Sequence, residues 1–166
     1  MVCLDRQGRG KEVDLTASNH SGVQTEPVET VPFMPDIFES TAEGGARLRA
    51  GRCTSCGALS FPRRTVCVHC GPGHEIEVTV IEGGGTVYAS TVVRVPSPVG
   101  LKAPYAYGYV DLNDVPLRVF GLFAQADAGG LTPGTPVRLV AENLCRDAAG
   151  RELVAYKFAS LKGATA

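Results

Sequence analysis

Cys53-Thr-Ser-Cys56-Gly57 and, ten residues after Gly57, Cys67-Val-His-Cys70-Gly71 are the residues of this chain whose types and spacing point to chemistry. A two-residue spacer lets both thiolates of a pair reach one ion, and the closing glycine lets the backbone turn and aim amide N–H groups at the sulfurs. Four thiolates fill the tetrahedral shell of Zn2+. A filled shell has no open position for a substrate, so such a site is structural. Iron also accepts four cysteines, which would make an electron carrier of the rubredoxin type. Four free thiols or two disulfides are the plainer alternatives, and the arginine-rich surroundings and missing export signal argue against disulfides. His69, inside the second knuckle, reads as an exposed residue rather than a ligand replacing a cysteine.

Catalytic chemistry is not visible beside these cysteines. General acid–base work needs a positioned histidine or carboxylate within reach of a nucleophile. The histidines are His20, His69 and His74, and neither Ser90 nor Ser97 has a base at recognisable spacing. Gly83-Gly84-Gly85 joins strand to strand and lacks the Lys-Ser/Thr of a phosphate loop. The sequence therefore nominates no catalytic residue. It does gather arginines: Arg47, Arg49, Arg52, Arg63 and Arg64 lie between Glu43 and Glu75 with no acid among them. A guanidinium fork matches phosphate oxygens in pairs, which makes Arg52, Arg63 and Arg64 candidate phosphate ligands. The competing reading is that they balance the −2 charge of a zinc tetrathiolate and otherwise sit in water.

The elements that must position these groups are mostly strands. The chain has 166 residues, 44% of them hydrophobic, with 20 glycines and 11 prolines, a composition of many turns. Net charge is −1 and the sequence pI about 6.3, unlike a polyanion binder. Met1-Val-Cys-Leu-Asp-Arg6 places charges where a signal peptide's apolar run would begin, and no apolar run reaches the ~18 residues of a membrane span. The expected location is cytoplasmic.

Residues 1–31 are polar and without period, and read as a flexible tail. In 32–47, Asp36 and Glu39 form a capping box ahead of Ile37, Phe38, Ala42 and Ala46, which predicts one or two short helices broken at Gly44-Gly45. Residues 48–73 hold the knuckles, with strands over Ala46–Arg52 and Ala58–Pro62. From residue 74 to 162 the period is two. Strands are expected over Glu75–Glu82, Thr86–Val95, Tyr105–Asp111, Val115–Phe123, Pro136–Leu144 and Leu153–Ala159. That number suits a small Greek-key barrel of the OB type. Tyr105, Tyr107 and Tyr109 share one strand face, and they are expected, with Phe120 and Phe123, to fill the core rather than form an exposed ladder.

Residues 33–160 resemble a known family. Leu48-Arg-Ala-Gly-Arg-Cys-Thr-Ser-Cys-Gly57, Phe61-Pro-Arg-Arg64, Cys67-Val-His-Cys-Gly71 and Gly84-Gly-Thr-Val-Tyr88 carry the likeness, continued in Pro104-Tyr105, Leu117–Leu122 and Leu131-Thr-Pro-Gly-Thr-Pro-Val137. These patterns resemble the zinc-ribbon plus OB-fold proteins that accompany thiolase-like acyl-CoA enzymes. A narrower likeness is to the small subunits of benzoylsuccinyl-CoA-type thiolases. The resemblance implies a mainly β chain: short N-terminal helices, a rubredoxin-like zinc ribbon and an OB-type antiparallel β barrel. It implies structural Zn2+ on Cys53, Cys56, Cys67 and Cys70. It also implies a non-catalytic subunit that docks on a thiolase-like enzyme and helps form its CoA-ester site, where Arg52, Arg63 and Arg64 would meet CoA phosphate. The alternative is a single-stranded nucleic-acid binder, since zinc ribbons and OB barrels both serve there, although the pI and the few basic residues along the barrel oppose it.

Overall fold

The structure is a computed structural model that describes residues 30–161 apart from Val99 and Ala148. The polar stretch up to position 29 lies outside the described residues. In chain order the strands are β1 (Thr30–Pro32), β2 (Phe38–Ser40), β3 (Ala46–Cys53), β4 (Leu59–Ser60), β5 (Ile76–Ile81), β6 (Gly84–Val93), β7 (Tyr105–Leu112) and β8 (Arg118–Phe123). A 3-10 turn at Gln125–Asp127 precedes β9 (Pro136–Arg146) and β10 (Glu152–Ser160). No helix among the described residues is long and apolar enough to cross a membrane.

Period-two patterning closes the barrel. In β7 the side chains of Ala106, Val110 and Leu112 are buried while the alternating tyrosines and Asp111 face outward. The strands pair in the order β9-β6-β7-β8-β10, and β10 pairs back onto β9. Four of these contacts are antiparallel, and the β8–β10 contact is parallel. This is the five-stranded Greek-key barrel of the OB type. Closure pairs each of the five on both sides over part of its length, and β1 adds in parallel outside β10. Packing inside is close. A Cβ added at Gly108 would lie 2.0 Å from the Ala89 carbonyl oxygen, so only glycine fits where β7 crosses β6.

A second sheet is built on β3, which pairs with β2, β4 and β5. Its buried face changes along its length. Ala46, Leu48 and Ala50 point into the barrel core beside Phe38, Ile81 and Phe158. One residue further the alternation breaks at buried Gly51, and Cys53 is buried on the opposite face against Ile76 of β5. One strand pair thus serves two cores.

The short helices expected over 32–47 are absent. Phe38 is inserted in the shared core opposite Leu48, and the Glu39 carboxylate accepts from Arg49 Nη1 at 2.6 Å instead of completing a cap. Gly44, at φ +74°, then turns the chain into β3. Burial of Phe38, of the order of 2–3 kcal/mol, outweighs a local helical preference of tenths of that. The tyrosines are also corrected. Tyr105, Tyr107 and Tyr109 stand outside the barrel, as does Phe120, and only Phe123 of the five aromatics is core. The small residues of β7, not its rings, fit the narrow interior.

Because the barrel core continues into β3, Leu48→Ala is expected to destabilise the barrel itself by about 2–5 kcal/mol. Denaturant unfolding followed by the barrel's near-ultraviolet tyrosine signal measures this. A midpoint equal to that of the unmutated chain would separate the two units.

Candidate metal centre

Two tight turns bring the sulfurs together. Gly57 N donates to Cys53 O at 2.9 Å and Gly71 N to Cys67 O at 3.0 Å, so each pair of cysteines is folded over one turn. Both glycines have positive φ, +70° and +79°, a conformation that a Cβ disfavours. The knuckles are tied to the strands through Cys53 N on Ala58 O at 2.9 Å and Thr54 N on Glu75 O at 3.1 Å.

The result is a compact donor set. The Sγ atoms of Cys53, Cys56, Cys67 and Cys70 all lie within 4.8 Å of one another, and Cys56 and Cys67 approach to 3.6 Å. Thiolates 2.3 Å from a tetrahedral zinc stand about 3.8 Å apart, so this cluster fits such an ion. Neither His69 nor His74 belongs to it; both are exposed. Amide N–H groups of Cys70 and His69 donate to the Cys67 sulfur and lower its pKa to about 6. Hydrogen bonding with the Cys56 sulfur, reinforced by desolvation, raises Cys70 to about 12. One thiol ionises readily and its neighbour resists, as expected where negative charges would crowd. A dication displaces those protons.

Little else could hold this end of the chain. The buried residues around the sulfurs are Cys53, Cys67 and Ile76, supported by half-buried Ala58 and Cys70. Burial of one isoleucine contributes roughly 2–3 kcal/mol, against about 10–16 kcal/mol for a structural zinc in a finger peptide. Phe61 fastens the loop between the knuckles to the barrel by an edge-on contact with Tyr156, ring centroids 5.8 Å apart.

The arginines divide into two groups. Arg47 pairs with Glu82 at 2.9 Å and Arg49 with Glu39 at 2.6 Å, on exposed faces where such pairs contribute about 0–1 kcal/mol. The acids that partner them come from β5's end and β2, which the sequence did not place beside them. Arg52, Arg63 and Arg64 are exposed and have no ion pair among the described residues. Arg52 stands across from Glu77 in the β3–β5 ladder, and the Arg63 stem lies over Gly51. Their placement leaves them available to a phosphate without gathering them around one.

On the barrel exterior, reading the tyrosines as core missed a cluster. Tyr107 and Tyr109 each meet the Phe120 ring at a centroid distance of 5.4 Å, and the Arg118 guanidinium lies 3.2 Å above the Tyr88 ring, held by Asp111 at 2.7 and 2.9 Å. Strict alternation against Ala106, Gly108 and Val110 was the available signal.

A four-cysteine ribbon sharing one strand pair with an OB barrel defines a class of small, two-part β proteins. Residues 45–76 match the family described as ChsH2, rubredoxin-like zinc ribbon domain, and residues 78–142 match ChsH2, C-terminal OB-fold domain. The chain belongs to this zinc-ribbon and OB-fold family. It is 37% identical over 134 residues to benzoylsuccinyl-CoA thiolase subunit BbsA of Thauera aromatica, covering 76% of this chain and 85% of that one. It is 33% identical over 115 residues to a DUF35 domain-containing scaffold protein of Pyrococcus furiosus, covering 68% and 82%. Among solved structures it is similar to the Ltp2-ChsH2(DUF35) aldolase, with TM-score 0.51 and 25% identity over 67% of this chain and 84% of that one.

Loss of the metal, by chelation or through Cys67→Ser, is expected to raise amide exchange across 53–76 by orders of magnitude while β6–β10 stay protected. Exchange followed by mass spectrometry reads both regions at once. Unchanged protection of the knuckles in the metal-free chain contradicts this.

Proposed function

We propose that this chain is a non-catalytic accessory subunit that binds a thiolase-like acyl-CoA enzyme and helps form or stabilise its CoA-ester site. The observation that carries the reading is the likeness to a thiolase subunit across 85% of that subunit's length, ribbon and barrel together. The site chemistry agrees. Zn2+ on Cys53, Cys56, Cys67 and Cys70 is a closed, structural centre. His69 and His74 are both exposed, and neither is a partner of the four clustered sulfurs. (Asp127 meets the Ser160 hydroxyl at 2.7 Å, but it also accepts the Ser160 amide at 2.8 Å, which is a turn-tying contact.) Arg52, Arg63 and Arg64 are the groups that would meet CoA phosphate at the boundary with the partner.

The alternative, single-stranded nucleic-acid binding, has one observation in its favour: Tyr107, Tyr109 and Phe120 lie on the outer face of the second and third barrel strands, where OB folds stack bases. Against it, Arg118, on the same strand as Phe120, is already neutralised by Asp111. We favour the protein partner.

Co-expression with a thiolase-like subunit from the same genome is expected to yield a stable complex on size exclusion, with thiolysis activity that neither chain shows alone. Arg63→Glu combined with Arg64→Glu is expected to raise KM for the CoA ester about tenfold with kcat retained, a loss of about 1.4 kcal/mol of uniform binding. An absence of complex, together with salt-sensitive binding of single-stranded oligonucleotides, would transfer the function to the alternative.

A further inference from the structure

One end of the barrel holds a cavity of about 340 Å3 that the ribbon does not reach. Its walls come from the loop between β6 and β7, the end of β8 with the following 3-10 turn, the end of β9, and β10. Three cations line it, Lys102, Arg146 and Lys157, and no carboxylate does. The remaining wall is largely apolar, with Leu101, Leu122 and Leu144.

Lys157 is the unusual member. Its side chain is 8% exposed, and it is the one buried charged residue among those described. Lysine is almost never buried without a partner, because stripping water from an ammonium costs several kcal/mol. Here Nζ donates to Glu142 Oε2 at 3.1 Å and to the Asn143 carbonyl at 3.0 Å. Glu142 Oε2 also accepts from Gln125 N at 3.1 Å, which fixes the carboxylate. An ammonium has three donors, and these contacts use two. Arg146 gives Nη2 to Glu152 at 2.9 Å, and its remaining donors and Lys102 have no ion-pair partner among the described residues. Glu142 offsets Lys157 and Glu152 offsets Arg146, so the excess positive charge of the site is that of Lys102, while β9 and β10 as well as the loop supply its donors.

We propose that this cavity binds a small oxyanion, carboxylate or phosphate, borne on an apolar body of about one ring. The volume lies at the low end for small-molecule sites, and the mixture of a few convergent polar groups with apolar walls is what such sites share. Lys157 anchors the oxyanion from behind, while Lys102 and Arg146 close over it. Arg52, Arg63 and Arg64 line no part of the cavity, so the site is separate from the CoA-phosphate groups proposed on the ribbon.

Titration of the zinc-loaded full chain with benzoate and with phenyl phosphate, benzamide serving as the uncharged control, tests this by calorimetry or by amide shifts in the barrel. The expected result is saturable binding of at least one anion with a Kd of about 1 mM or tighter, and none of benzamide. Tighter binding of either anion supports the site and says which oxyanion it prefers. Lys102→Gln with Arg146→Gln is expected to weaken binding about tenfold without lowering Tm, both side chains being at the surface. Lys157→Met tests the anchor where the variant folds. Absence of saturable binding by both anions, equal binding of benzamide, or affinity unchanged in the Lys102/Arg146 double variant would each overturn the proposal, whatever becomes of the thiolase-like partner.

Discussion

β3 and β5 are gripped from opposite sides, and the rest of the molecule depends on that grip. Through Leu48, Ala50 and Ile81 the pair is fastened to the barrel by apolar burial; through Cys53 and Ile76 it is fastened to the knuckles. The first attachment is broad and non-directional. The second is a single point, strong when a metal fills it, because a metal–thiolate centre would concentrate its free energy in four bonds. Between the two, the strand pair carries exposed Val78 and Val80 and the Arg49 and Arg52 side chains on an otherwise uncovered stretch. A surface of that kind holds its shape only while both ends are fixed.

The barrel contributes rigidity and display. The barrel closes through the β9–β10 pairing, and its interior takes Ala106, Val110, Phe123 and Phe158 while the rings of β7 face outward. Tyr88, Tyr109 and Phe120 are consequently exposed, and Arg118 is pinned over Tyr88 by Asp111. Anchored aromatic and arginine side chains lose little entropy on being covered, which is why they predominate at the centres of protein interfaces. That composition suits a surface covered by another chain.

Much of this was legible in the sequence, and the failures have physical causes. The clustering of the four cysteines could be read because two residues between cysteines and a glycine after them have few other uses. The six strands after the knuckles could be read because alternation in Glu75–Glu82 and its successors is nearly unbroken, although the first of them, β5, pairs with β3 and not in the barrel. Asp36 and Glu39 misled: a capping box is a local device, and Phe38 found a partner in Leu48, which sequence distance hides. The tyrosines of β7 misled because polarity alone does not say which face of a strand is inside; the sizes of Ala106 and Gly108 do. Lys157 passed unnoticed inside Leu153–Ala159, where a single lysine reads as an exterior residue, since Glu142 joins it only through the β9–β10 register.

The claim on which these arguments converge is that a closed, four-sulfur centre shapes the ribbon and does no chemistry of its own. X-ray absorption at the zinc edge of the purified full chain tests it most directly. Four sulfur scatterers at about 2.3 Å, with no nitrogen or oxygen in the first shell, is the expected spectrum. A shell of three sulfurs with a water or imidazole would make the centre an open one, and a folded chain without metal would remove it; either result contradicts the account.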